Sequence, residues 1–135
     1  MLTGIEKLEA EADINAMVRL YGEAVDLGPV ETYVACFTPD GSFTTSAGKA
    51  TVGHEALRAN KEKSHGPIER RHLFTAPIIQ FTSPDTANGR GFCLILEHNT
   101  ETKTTGAPFT VDYKDTYRKT DKGWLLQTRA VLRSF

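Results

Sequence analysis

The chain has 135 residues, 39% hydrophobic and 24% charged, with 16 basic and 17 acidic residues for a net charge of −1. This length suits a single domain over residues 1–135 and can bury a core without metal or disulfide staples. No basic stripe runs along it to track phosphates, which argues against nucleic acid as a partner, and no eighteen apolar residues run together to span a membrane.

Cys36 and Cys93 lie far apart, in apolar contexts and outside any C-x-x-C, so a reduced, cytoplasmic protein is expected. The start Met1-Leu2-Thr3-Gly4 lacks the basic and apolar regions of a signal peptide.

Thr3-Gly4-Ile5-Glu6 fits a capping box and opens a first helix, whose apolar stripe is read as Ile5, Leu8, Ala12, Met17, Leu20, Tyr21, Ala24 and Val25. Gly28-Pro29 ends it and starts a short aromatic helix with Val30, Tyr33, Val34 and Phe37 inward. Pro39-Asp40-Gly41 reads as a turn. Ser42–Ser46 and Lys49–Val52 form a small hairpin, and His54 to Ser64 a third helix.

Four strand-like stretches follow, Arg70–Thr82, Ala87–Thr100, Phe109–Lys119 and Gly123–Arg133, with Pro77 marking a bulge or edge position in the first. Short turns between long strands impose an antiparallel meander, and its apolar face needs a cover that the helices can supply. The fold class expected is therefore α+β, a curved, cone-shaped sheet with three helices around an apolar pocket that suits a small molecule.

Ionisable residues among apolar ones are the candidates for chemistry, because their burial must be compensated. Asp26 ends the apolar face of helix one, with Tyr21 about one turn earlier; it reads equally as the residue that begins the turn before Gly28. His72 shares strand parity with Phe74 and points to the packed face, as a reactive group or as a satisfied core histidine. His98 shares parity with Phe92, Leu94 and Leu96, and Arg129 with Leu125 and Val131, so both are expected to aim inward, Arg129 partly buried. His54 and His65 are read as surface residues. The histidines lack zinc-site spacing, so no metal is assigned, and Gly89-Arg90-Gly91 sits mid-strand with no helix after it, so no dinucleotide fingerprint is present.

Several segments together resemble SnoaL-like proteins of the nuclear transport factor 2-like superfamily. They are Val25-Asp26-Leu27-Gly28 with Tyr33, Cys36 to Gly41, Val52 to Leu57, Arg71-His72, Tyr113-Lys114-Asp115 and Asp121 to Trp124, in order over nearly the whole chain. The resemblance implies the same cone-shaped fold. It is nearest to the branch of scytalone dehydratase, bile acid dehydratase and hexachlorocyclohexane dehydrochlorinase. Asp26 and His72 match that branch's Asp–His pair, Tyr21 resembles a carbonyl-polarising Tyr, Arg129 a late pocket Arg, and His98 a second catalytic His. Val25 and Phe43 stand where scytalone dehydratase carries tyrosines, which argues against that substrate.

The expected function is a cofactor-independent lyase or isomerase. Asp26 would orient His72 as the base, and Tyr21, His98 or Arg129 would stabilise developing negative charge. Phe37, Phe43, Phe74, Phe92 and Tyr113 are expected to line a pocket for a small hydrophobic ring compound. The alternative is a non-catalytic binding or assembly module, similar to the small subunit of a ring-hydroxylating dioxygenase. The resemblance further implies a homodimer or homotrimer built through the outer sheet face.

Overall fold

A computed structural model of the chain describes residues 1–63 and 65–135. The capping box forms as expected: Thr3 Oγ1 accepts from the Glu6 amide at 3.2 Å, and the Glu6 carboxylate accepts from the Thr3 amide at 2.8 Å. Helix α1 runs over Gly4–Leu27. It ends at Gly28, whose φ of 71° suits a residue without Cβ and whose amide donates to the Ala24 carbonyl at 2.9 Å. Its buried stripe is Ala10, Ile14, Met17, Val18, Tyr21 and Ala24, whereas Ile5, Leu8 and Leu20 are exposed.

Helix α2 (Val30–Ala35) is short, and Phe37 belongs not to it but to strand β1 (Phe37–Thr44). The expected turn at Pro39-Asp40-Gly41 lies inside β1, where pairing with β8 slips between Phe37 and Ser42. Strand β2 (Ala50–Val52) completes the hairpin, and helix α3 covers His54–Glu62. Ser64, the expected end of that helix, falls outside the described residues.

The first long strand divides at Pro77, which has no N–H to give a ladder. Strands β3 (Ile68–Phe74) and β4 (Ile78–Ser83) both pair with β5 (Thr86–Asn99). Thr75-Ala76-Pro77 spans a one-residue bulge between the pairs Phe74/Cys93 and Ile78/Arg90. After the brief β6 (Thr104–Thr105) come β7 (Phe109–Thr120) and β8 (Gly123–Arg133).

The described residues thus form three helices and one sheet in the order β2-β1-β8-β7-β5-β3, with β4 and β6 also on β5. The meander is antiparallel as expected, but β1 joins β8 in parallel, so the sheet is mixed. No β2–β3 pairing closes it among the described residues. None of the described helices is long and apolar enough to cross a membrane.

The α1 stripe packs with Phe37, Ala87, Tyr117, Trp124 and Leu126 on the inner face of the sheet. Gly89 and Gly91 of β5 make that packing possible. A Cβ on either would fall onto the hydroxyl of Tyr117 or Tyr113, respectively, so these glycines accept rings from β7. The interior is filled with aromatic rings, and two of the molecule's clefts lie beside β3 at the sheet edge.

Candidate active site

Strand β3 stands at a sheet edge, and an edge strand presents amides with no ladder partner. The last turn of α1 lies beside it, and there the Asp26 carboxylate bonds twice to one residue. Oδ2 accepts from the His72 amide at 2.6 Å, and Oδ1 bonds the imidazole Nδ1 at 2.6 Å. Because a carboxylate accepts only, Nδ1 carries the proton and Nε2 is left as the basic nitrogen. The His72 side chain is 19% exposed and that of Asp26 only 5%.

An acid at a helix C-terminus works against the helix dipole, so these two bonds are what make the position tolerable. Charge-assisted bonds contribute about 1.5–3 kcal/mol each. Lys61 of α3 assists by donating to the Val25 carbonyl, placing a cation at the same helix end. Its ammonium also lies 5.4 Å from the Tyr33 ring centroid. Burial pulls the Lys61 pKa down, and the nearby Asp26 charge partly opposes that shift.

His72 borders two clefts. One, of about 320 Å³, is lined by Asn15, Val18, Gly22, Phe74 and Thr75 among others. The other, of about 360 Å³, holds Asp26, Lys61, His65 and Arg71. Both are open rather than enclosed, so neither is the closed apolar pocket that was expected. Phe74 stacks on His72 with centroids 6.0 Å apart, and it alone of the five expected lining residues borders either cleft.

The other four are elsewhere. Phe37 is fully buried edge-on to Tyr21 and Tyr33. Phe43 packs on the core from β1, and Tyr113 is buried with its hydroxyl donating to the Thr75 carbonyl at 2.6 Å. Phe92 is 59% exposed, because Ala87, Gly89, Cys93 and Ile95 are the inward residues of β5. The expected parity of this strand is therefore reversed.

His98 shares the outer face with Phe92. It pairs with Glu69, one face away from His72, and its Nδ1 bonds Thr105 Oγ1 at 2.9 Å. The structure does not bring it to the Asp26–His72 pair. His54, expected at the surface, is half-buried and its Nε2 donates to the Phe37 carbonyl at 2.8 Å.

Arg129 is fully rather than partly buried, and reaches the interior through a bulge. Residues Leu126 and Thr128 pair with Tyr117 and Thr116, leaving Gln127 as the extra residue that switches parity. Leu126 and Arg129 consequently face the same core, and Leu125 does not share it. Nε and Nη2 of Arg129 bond the Asp115 carboxylate at 2.8 and 2.7 Å, and the Tyr117 hydroxyl donates to Asp115 at 2.7 Å. Burial disfavours the charged guanidinium, but the Asp115 charge, its hydrogen bonds and the neighbouring Tyr21 and Tyr117 together outweigh burial and hold the Arg129 pKa above its ordinary value. Burial raises the Tyr21 pKa, with Arg129 opposing, so its phenol keeps its proton.

Sequence reasoning missed Asp115 and Lys61. Asp115 was detectable, since it shares parity with Tyr113 and Tyr117 on β7. Lys61 carried no local signal, because its partner lies 36 residues away. Among the described residues, no group of three or more His, Cys, Asp or Glu side chains is placed to hold a metal.

Residues 6–130 match the SnoaL-like domain. The chain belongs to the SnoaL-like family. This SnoaL-like protein shares its fold with a type 2 hexachlorocyclohexane dehydrochlorinase, at a TM-score of 0.86 and 19% identity over 98% of this chain and 90% of that one. A scytalone dehydratase-like protein from Novosphingobium aromaticivorans superposes with a TM-score of 0.85 at 22% identity, covering 96% and 87% of the two chains. A protein from Catenulispora acidiphila, solved in complex with S-DNPA, gives 0.76 at 26% identity over 93% of each chain. No curated protein sequence matches this one. The family match and these neighbours together give the chain a nuclear transport factor 2-like, cystatin-like fold.

Proposed function

We propose that this SnoaL-like protein is a dehydratase-like lyase or isomerase that removes a proton from carbon in a hydrophobic, cyclic small molecule. One observation carries the reading: Asp26 holds both the ring Nδ1 and the backbone amide of His72, which leaves Nε2 as a base beside a cleft. In this scheme Nε2 takes the proton from carbon, and the C–H electron pair forms a double bond as the β-substituent departs, or an enolate where a carbonyl stands next to that carbon. Asp26 supports the imidazolium that results. His72 then returns the proton to the departing hydroxyl or to another carbon, so none of these steps calls on an organic cofactor. Tyr21 and Arg129 are the donors available to a developing oxyanion, one layer behind Phe74. His98 takes no part.

Hydrogen–deuterium exchange at carbon, followed by NMR in D2O over a panel of cyclic β-hydroxy ketones and hexachlorocyclohexane, tests the proposal. The parent protein should exchange or eliminate on at least one compound, and folded Asp26→Asn and His72→Ala variants should not. Full activity in either variant would sink the dyad. The open clefts and filled interior favour a second reading, a binding or assembly module; tight ligand binding with no exchange across the panel would select it. Exposed Leu73, Phe92 and Leu94 support the expected homodimer or homotrimer, which sedimentation would read.

A further inference from the structure

Lys61 is a half-buried cation without a counter-ion. Among the described residues its ammonium donates to one acceptor, the neutral carbonyl of Val25, and it is ion-paired with no carboxylate. Asp26 lines the same cleft of about 360 Å³, but both of its oxygens are committed to His72. The three N–H groups of an ammonium therefore have acceptor capacity to fill.

A second cation stands beside it. Arg70 shares the inner face of β3 with His72 and lines the cleft. Its Nε donates to Glu97 at 2.7 Å, and neither Nη has a partner among the described residues. Burial does most to lower the Lys61 pKa; Asp26 opposes that shift, and the Arg70 charge adds to it. Two cations that repel one another across a cleft, each with N–H groups to spare, are the complement of an anion. At the rim the exposed charges of Arg71 and Glu69 offset each other.

We infer that the cleft between α3 and β3 binds a carboxylate carried by the substrate, held between Nζ of Lys61 and the Nη groups of Arg70. A carboxylate follows because its two oxygens can take one ammonium and one guanidinium together. A single charge follows because Glu97 already offsets Arg70, and Asp26 and Glu69 line the same cleft. A phosphate dianion would meet as much repulsion there as attraction. Anchored at this end, a cyclic acid would have its ring directed toward His72, which borders the cleft on the other side. The inference rests on the proposed dyad for what happens to that substrate, but the anion site binds whether or not the dyad reacts.

Titration of the whole chain with cyclohexanecarboxylate and with its neutral amide, cyclohexanecarboxamide, followed by NMR, tests this. The acid should bind about tenfold more tightly than the amide, the advantage of a charged acceptor over a neutral one. Backbone N–H resonances of Asp26, Leu27 and Arg70 should move with the acid. Lys61→Met should lose the preference while binding the amide as before, and Lys61→Arg should keep it. Inorganic phosphate should bind more weakly than the acid. Equal binding of acid and amide, resonance shifts confined to other parts of the chain, an unchanged preference in Lys61→Met, or tighter binding of phosphate would each overturn the inference. The first two are read on the parent, so the result does not depend on how the variants fold. Asp26→Asn should abolish exchange at carbon yet bind the acid at least as tightly, because one negative charge has left the cleft. Exchange without an acid preference would thus sink the anion site alone, and an acid preference without exchange the dyad alone.

Discussion

Two carboxylates in this chain each hold one cationic or ionisable partner through both oxygens, yet they sit in opposite surroundings. Asp115 and Arg129 are 0% exposed, on neighbouring central strands, with Tyr117 adding a third bond. Asp26 and His72 join a helix end to a sheet edge, and the imidazole opens onto a cleft. The closed pair cannot exchange a proton with water or substrate, and its guanidinium stays charged. The open pair can. Burial therefore divides one geometric motif into a fixed electrostatic element and a candidate base.

Breaking each pair should separate these roles. The largest effect on stability is expected for Asp115→Ala, which strands a buried guanidinium; urea denaturation should show a loss of about 3–5 kcal/mol. A loss near zero would mean that Arg129 is not confined as described. Asp26→Asn should cost less stability, about 1–3 kcal/mol, since His72 can turn toward water. Its rate of proton transfer should nevertheless fall by roughly 10²–10⁴-fold. If Asp26→Asn destabilised as much as Asp115→Ala, the two pairs would not differ in kind.

Smaller effects sharpen the contrast. Tyr117→Phe removes one bond to Asp115 and should lower stability by about 1–2 kcal/mol, with proton transfer at His72 unchanged. The thiols report on the closed region directly. Burial pushes Cys36 up to about 11 and Cys93 up to about 12, from an ordinary 9.0. Neither should react with dithionitrobenzoate at pH 8 until the chain unfolds. Because both values are raised in the folded state, their contribution to stability is complete below about pH 9 and declines as pH climbs toward 11 and 12. Rapid native labelling would show that this interior is looser than its burial implies.

The sequence by itself determined the element order, the capping box, the break at Pro77 and the Asp26–His72 candidates, because caps, prolines and local periodicity act over a few residues. Even the parity of His72 with Phe74 could be read from β3, which has no bulge between them. Parity misled on β5 and β8. Both faces of β5 carry apolar residues, so alternation could not say which is inner, and Phe92 and His98 went to the wrong side. On β8 the bulge at Gln127 reset the faces and buried Arg129 completely. The parallel β1–β8 pairing, the Lys61 contact and the filling of the expected pocket by Phe37, Tyr113 and Arg129 were decided by tertiary structure alone. The physical reason is common to all of them. Which side chains share an interior depends on register and packing between residues distant in the chain, and a single strand's pattern does not contain that information.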